Sequence, residues 1–122
     1  MALPMITVAP VCASQPDVPR EVEKLLAIFP DADAARNVGR RYLHRNPSTI
    51  PETFSSVLQC IDMDEVALGE ISCTDLARAA EHAIRDDFDK GRTVDVDGWL
   101  LSTTEARVCA LHALVDQLSR QC

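Results

Sequence analysis

Aromatic side chains are scarce in this chain, which has one Trp, one Tyr and three Phe among its 122 residues. A core must therefore be built mainly from Leu, Ile, Val and Ala, and such a core suits packed helices better than a β-sandwich. Glycine is also rare, and the four glycines are too scattered to form a phosphate-binding loop. No apolar run reaches the roughly 18 residues of a membrane span, so we expect a chain that does not cross a membrane.

Common catalytic motifs are missing as well. The sequence contains no Gly-x-Ser-x-Gly nucleophile motif, and none of its three histidines lies in a recognisable catalytic context. The acidic cluster Asp86, Asp87 and Asp89 lacks the glycine and the Glu spacing of a calcium loop, which favours a solvated helix end. We therefore expect a protein without a cofactor, and a binding role is favoured over an enzymatic one.

Acidic residues outnumber basic residues, 19 to 12, and give a formal net charge of −7. This charge favours solubility and opposes binding to a nucleic-acid backbone, whose phosphates would be repelled. Charged residues make up 25% of the chain and apolar residues 47%, as is typical of a folded globular domain. We predict a single helical domain over 17–122, preceded by an irregular N-terminal tail over 1–16.

The five cysteines are odd in number and unevenly spaced, so their spacing predicts neither a set of disulfide bonds nor a zinc site built from paired CxxC motifs. Cys60, Cys73 and Cys109 lie within apolar-periodic segments and are expected to behave as small hydrophobic residues. Cys12 and Cys122 lie near the termini and are expected to be exposed. This use of cysteine is typical of a reducing compartment, and we expect a cytoplasmic protein.

Apolar periodicity and capping residues predict a series of short helices in the first half of the chain. Asp17 is a candidate cap for a first helix that has Pro19 in its first turn and ends before Pro30. A second helix begins at Asp31 to Asp33 and ends at Asn46-Pro47, and the capping box 49–52 begins a third. The segment 62–71 is ambiguous between a loop and a short helical turn.

A longer helix is predicted from Ser72 to Gly91, which is placed for a left-handed C-terminal cap. Its apolar stripe predicts a buried face formed by Leu76, Ala80, Ala83, Ile84 and Phe88. In the ambiguous segment before it, Val66 and Leu68 are expected to pack inward.

A hairpin and a capped helix are predicted near the end of the sequence. Asp97-Gly98 suits a two-residue turn, because both central positions need positive φ. This turn pairs Val96 with Trp99, and an isolated hairpin is marginal in water, so the apolar face that carries Trp99 should lie buried on helices. Ser102 and Glu105 then form a capping box before the last helix. The predicted fold is mainly α, a five- or six-helix bundle with one hairpin over about residues 93–101.

The predicted second helix concentrates basic side chains in an otherwise acidic protein: Arg36, Arg40, Arg41, His44 and Arg45. Arg36, Arg40 and His44 share one stripe, and Arg41 lies beside Arg45 on the next. Guanidinium groups hold carboxylates and phosphates through paired hydrogen bonds, so this face could bind an anion or an acidic patch on a partner. The alternative is a solvated face that is balanced by the chain's own carboxylates.

A weak metal-binding pattern lies on the last helix, where Glu105, Cys109 and His112 fall at positions i, i+4 and i+7. A metal would need further ligands, which His82 with Glu81 or Cys73 could supply. Each of these residues also has an ordinary structural role open to it. A metal site using His82, Cys109 and His112 therefore stays a secondary hypothesis.

The last third of the chain contains Gly91-Arg92-Thr93-Val94, Asp97-Gly98-Trp99-Leu100-Leu101-Ser102, Thr104-Glu105-Ala106-Arg107 and Cys109-Ala110-Leu111. This pattern resembles the C-terminal part of small, largely uncharacterised bacterial proteins. The resemblance covers about the last third of the chain. It implies a small subunit that accompanies an exported oxidoreductase, and it carries over no catalytic residues. The exported forms have a twin-arginine leader, and no paired arginines precede the first predicted helix.

These observations favour a non-catalytic helical accessory protein that binds another protein, which under the resemblance is an oxidoreductase catalytic subunit. The hairpin has strand edges to which a partner strand can add, and the charges of Asp95 and Asp97 would oppose non-specific pairing there. The candidate partner-binding residues are Arg36, Arg40, Arg41, His44, Arg45, Asp95 and Trp99. The alternative is a metal- or small-molecule-binding protein, including a small enzyme, that uses His and Cys side chains of the last two long helices.

Overall fold

A computed structural model of the chain describes residues 18–120. Within that range, six helices and one hairpin follow in the order α1 (Arg20–Leu26), α2 (Ala32–Arg45), α3 (Ile50–Cys60), α4 (Glu65–Glu70), α5 (Cys73–Asp89), β1 (Thr93–Val96), β2 (Trp99–Ser102) and α6 (Thr103–Arg120). The predicted fold class is confirmed, including the hairpin before the last helix. No helix in this part of the chain is long and apolar enough to cross a membrane. The predicted tail over 1–16, the Asp17 cap and the terminal cysteines lie outside the described residues.

Most predicted helix starts are confirmed by side-chain caps. Asp31 accepts a hydrogen bond from the Ala34 backbone N–H at the start of α2, and Thr49 forms the full capping box with Glu52 at the start of α3. The first helix differs from the prediction, because Pro19 lies at the N-cap position rather than in the first turn. The ambiguous segment contains a short helix, α4.

Helix α6 is the central element of the fold. It contacts α1, α2, α3, α5 and both strands. An unbroken buried run, residues 108–113, extends through its middle, so this helix is surrounded on every side there. Fully buried side chains from other elements, which include Leu25, Val57 and Leu76, form one core with Leu111 of α6.

Helices α2 and α6 approach each other so closely that one position between them excludes a side chain. A Cβ added to Gly39 would lie 2.0 Å from the Cys109 carbonyl oxygen and 3.0 Å from the Ala110 backbone nitrogen. The neighbouring positions on α6 are also small, and Ala106, Ala110 and Ala113 are at most 1% exposed. Small residues on both helices therefore bring the two backbones into contact.

The hairpin forms in the predicted register, with Val96 opposite Trp99 and Val94 opposite Leu101. Asp97 and Gly98 have φ of 50° and 92°, as the two-residue turn requires. Val96 is buried, but Trp99 is 54% exposed, so the prediction that Trp99 is buried is wrong. Cross-strand pairing fixes the face on which a side chain lies, but it does not decide how far the neighbouring helices extend beneath that face.

Other predicted core positions are also exposed. Val66 on α4 is 71% exposed because Leu68 takes the buried position of this short helix, and Phe88 on α5 is 45% exposed. Cys73 is exposed as well, at the first residue of α5, so it is not a core hydrophobic residue. At the end of α5 the buried position belongs to Asp87, which is 4% exposed. The prediction of a solvated acidic end to this helix is therefore wrong for Asp87, whereas Asp89 is exposed.

The Asp87 carboxylate joins three elements of the fold. Its Oδ2 accepts hydrogen bonds from the backbone N–H and the hydroxyl of Thr104, at 2.8 and 2.7 Å, at the start of α6. Its Oδ1 accepts a hydrogen bond from Arg92 Nε at 3.0 Å, just before β1. The Arg92 carbonyl oxygen in turn accepts from the Thr103 backbone N–H at 3.0 Å. A buried charge with this many partners fixes the junction of α5, the hairpin and α6.

Replacing Gly39 with Ala should destabilise the protein by about 1 to 3 kcal/mol, because the added methyl group collides with the backbone of α6. The matched control is Gly69→Ala on α4, where the added Cβ meets nothing within 4 Å. That variant should be neutral or more stable, by up to about 1 kcal/mol, since Ala favours a helix. Urea unfolding of both variants measures the difference, and equal midpoints would contradict the close approach.

Replacing Asp87 with Ala should lower the free energy of unfolding by about 2 to 4 kcal/mol, because two buried donors of Thr104 lose their acceptor. The adjacent Asp86 is the control, since it lies at the surface with Lys90 and Arg92. Asp86→Ala should leave the thermal midpoint nearly unchanged at neutral pH. If Asp87→Ala and Asp86→Ala have the same thermal midpoint, the buried junction contributes no more to stability than a surface ion pair does.

Candidate functional site

The outward face of α2 carries an apolar and a basic surface in succession. Ala34, Val38, Arg41 and Arg45 fall within a narrow angular range of the helix, at i, i+4, i+7 and i+11. The inward face is fixed against α6 by the close approach at Gly39. The position of α2 therefore sets both surfaces.

The apolar surface is a groove with a cavity volume of about 310 Å³. Its walls come from the loop after α1, from α2, from β2 and from α6, and include Phe29, Pro30, Ala34, Val38, Leu101 and Cys109. Burial and, to a lesser extent, the nearby negative charge of Glu105 together raise the pKa of the Cys109 thiol to about 12. Cys109 is therefore a protonated, unreactive thiol in the wall, as expected for a small hydrophobic residue. Sequence reasoning missed this groove, because its residues come from four separate elements.

The basic surface is an open pocket lined by Asn37, Arg40, Arg41, His44, Arg45 and Asp97. Arg41 Nη1 lies 3.0 Å from Asp97 Oδ2 in the hairpin turn. Arg40 Nη1 lies 3.8 Å from Asp116 Oδ2 on α6. Within the described residues, no ion pair involves His44 or Arg45. We refer to these six residues as the arginine pocket.

Arg36 stands apart from the arginine pocket. Its guanidinium group forms an ion pair of 3.0 Å with Asp33 and one of 3.8 Å with Asp116. Part of the basic stripe is therefore balanced by the chain's own carboxylates. Because Arg40 shares Asp116 with Arg36, the least compensated cations lie toward the C-terminal end of α2.

Two apolar side chains that follow the hairpin turn are exposed. Trp99 and Leu100 are 54% and 63% exposed. They follow the turn that Asp97 joins to α2 through Arg41. Asp95 is exposed at the tip, but its Oδ1 accepts a hydrogen bond from the Gly98 backbone N–H at 2.8 Å. Asp95 therefore stabilises the turn, in addition to the edge position that the sequence predicts for it.

The candidate metal ligands have separate partners. Glu105 Oε1 accepts from the Ser102 backbone N–H at 2.9 Å, so the predicted capping box is confirmed. His112 Nε2 lies 2.8 Å from the Leu26 carbonyl oxygen, and His82 is exposed on α5. Between residues 18 and 120, no three His, Cys, Asp or Glu side chains are grouped closely enough to hold a metal ion. The fold thus does not bring His82, Cys109 and His112 together as a ligand set.

His112 instead joins α6 to the end of α1. A carbonyl oxygen can only accept, so His112 Nε2 is the donor and must carry a proton. Burial lowers the pKa of His112 from its ordinary value, the Leu26 carbonyl opposes this, and the positive charge of Arg36 adds to the lowering. The neutral form is therefore the one that the folded protein accommodates.

Comparisons with protein-family models, with curated proteins and with solved structures find no match to this chain. The resemblance carried by residues 91–111 therefore stays a prediction.

The lowered pKa of His112 predicts acid sensitivity with a definite sign. Above the ordinary histidine pKa of 6.5, neither the folded nor the unfolded state binds the proton, so the stability does not depend on His112 charging. Below it, the unfolded state binds the proton more readily, and the thermal midpoint should fall. In the His112→Gln variant, the amide can still donate to the Leu26 carbonyl oxygen. Its thermal midpoint should therefore decrease less than that of the wild type between about pH 6.5 and 5.

His82→Gln is the control for this titration, because His82 is an exposed histidine on another helix. It should keep the wild-type dependence of the midpoint on pH. An unchanged slope in His112→Gln would show that another group causes the acid sensitivity.

Proposed function

We propose that this chain is a non-catalytic helical accessory protein that binds a partner protein through α2 and the hairpin tip. The observation that carries the proposal is the exposure of Trp99 and Leu100 on the hairpin, whose turn residue Asp97 lines the arginine pocket. Exposed apolar side chains next to polar ones mark interaction sites, and Trp and Arg are enriched among residues that dominate binding energy. We call the arginine pocket, the apolar groove and these two residues the α2–hairpin surface.

Charge indicates the kind of partner segment that fits this surface. The chain carries a net charge of −7, yet Arg40, Arg41 and Arg45 are concentrated on one face together with His44. An acidic segment would pair with the guanidinium groups, which bind carboxylates through two parallel hydrogen bonds. An otherwise acidic surface would repel the same segment and so favour this one orientation.

The groove adds room for an apolar side chain. Its volume of about 310 Å³ can receive one or two side chains of a partner but not a folded element. Phe29, Val38 and Leu101 line it with apolar atoms. The partner segment that fits best is therefore acidic, with an apolar residue as its anchor.

An extended segment of the partner can also pair with an outer edge of the hairpin. The sheet has two strands, so each has an outer edge without a strand partner among the described residues. With four residues in each strand, an added strand gains few main-chain hydrogen bonds. Side-chain contacts at Trp99 and in the arginine pocket should therefore supply most of the affinity. Under the sequence resemblance, the partner is an oxidoreductase catalytic subunit.

Site-specific photo-crosslinking in the native cell tests the proposal. A crosslinking amino acid at Leu100 should capture one partner that mass spectrometry can identify. The same probe at Val66 is the control, since that residue is also exposed and apolar but lies on α4. Equal products from both positions would contradict the proposed surface. Stoichiometric metal in the native protein would instead favour the metal-binding alternative.

Once the crosslinked partner has been identified, its affinity for the Trp99→Ala variant can be measured. We expect binding to be weaker by about tenfold or more, as for a residue that dominates an interface. The effect of this substitution on folding should be under about 1 kcal/mol, because the side chain is more than half exposed. Arg45→Glu should slow association and reduce its dependence on salt. Titration calorimetry and stopped-flow kinetics measure these effects.

Leu118→Ala is the matched control, since Leu118 is an exposed apolar residue near the end of α6 and lies outside the proposed surface. It should leave affinity unchanged. A partner that binds Trp99→Ala and Arg45→Glu as tightly as the wild type does not use the α2–hairpin surface.

A further inference from the structure

A second, polar cavity lies between the end of α2, the start of α3 and the first half of α6. Its volume is about 190 Å³. The polar side chains in its wall are Tyr42, Asn46, Ser48, Thr53, Ser56 and Arg107. It shares no lining residue with the arginine pocket or the apolar groove.

Arg107 is the charged residue of this cavity, and its hydrogen bonding is incomplete. The side chain is half-buried, and Nη1 donates to Cys60 Sγ at 3.3 Å. Sulfur is a weak acceptor, whereas a guanidinium group has five N–H donors. Within residues 18–120, no carboxylate lies within ion-pair distance of Arg107, although most arginines of this acidic chain are paired. Arg107 is thus a cation without a counter-charge in a polar recess.

Several residues that carry hydroxyl groups line the same cavity as Arg107. Thr53 is 3% exposed, and its Oγ1 donates to Ser48 Oγ at 2.8 Å, which joins α3 to the loop before it. Tyr42 and Ser56 bring two further hydroxyl groups to the wall from α2 and α3. No acidic residue lines the cavity. Its electrostatics therefore favour an anion over a cation or a neutral ligand.

We propose that this cavity binds a small oxyanion, a phosphate or a carboxylate, with Arg107 as its principal ligand and the hydroxyl groups of Tyr42 and Ser56 as further donors. The planar guanidinium group matches the spacing of two oxygens in either anion. A volume of about 190 Å³ holds such a group with a short substituent but not a nucleotide. An anion at Arg107 would also link α2, α3 and α6, and binding should stabilise the fold.

Titration of the full chain with inorganic phosphate and, separately, with acetate tests this site. Calorimetry and amide chemical shifts should show one bound anion, with the shift changes concentrated around Arg107, Tyr42 and Ser56. The more tightly bound of the two anions identifies the class of ligand. Chloride at equal ionic strength measures non-specific screening, and shifts identical to those with chloride would overturn the proposal.

Arg107→Gln should weaken binding by about tenfold or more, because the charge-assisted hydrogen bonds are lost. The control is Arg78→Gln, since Arg78 is an exposed arginine on α5. It should bind the anion as the wild type does. If Arg107→Gln does not fold, Tyr42→Phe decides the question, because it removes one hydroxyl donor and keeps the ring; it should weaken binding measurably. Wild-type affinity in a folded Arg107→Gln or in Tyr42→Phe would overturn the proposal.

Discussion

The backbone contact between α2 and α6 is the constraint on which the rest of the structure depends. Gly39 lets the two helices approach until its Cα faces the Cys109 carbonyl, and alanines on α6 line the remaining contact. This approach fixes which face of α2 is covered and which is open. The arginine pocket and one wall of the apolar groove lie on the open face, while Tyr42 reaches the polar cavity from another side of the same helix. One packing contact thus positions three separate surfaces.

A second constraint explains the sequence pattern that covers the last third of the chain. Gly91 takes the left-handed conformation after α5, Asp97 and Gly98 form the hairpin turn, and Glu105 completes the capping box. Arg92 and Thr104 bind the buried Asp87 carboxylate. These residues are the ones that a helix–hairpin–helix junction needs. Much of the pattern therefore describes how the junction folds, whereas the exposed Trp99 has no role in the junction.

The local features of the fold could be predicted from sequence because their causes lie within a few residues. The capping box at Thr49 and the turn at Asp97 depend on contacts over two or three positions. Features that depend on distant residues could not be predicted in this way. The exposure of Trp99 depends on where the helices end beneath the hairpin. The burial of Asp87 depends on Thr104, which is 17 residues away.

The same distinction applies to the candidate site. Helical spacing correctly places Arg40, His44, Arg41 and Arg45 on adjacent stripes of α2. It could not show that Asp97 closes one side of the pocket, since that residue is 56 positions from Arg41. Nor could it single out Arg107, whose contact with Cys60 spans 47 positions. Charge and periodicity therefore predict which basic side chains share a helix face. Which of them pairs with a carboxylate depends on residues that only the folded chain brings near.

The central position of α6 has a consequence for how the protein is made. During synthesis, α1 to α5 leave the ribosome before the helix against which most of them pack. Until residues 103–120 emerge, Leu25, Val57 and Leu76 lack the helix that completes their shared core. Until α6 emerges, the nascent chain therefore carries apolar helix faces that are exposed to solvent. A ribosome that stalls before α6 would release an aggregation-prone fragment, and chaperones would be expected to bind it.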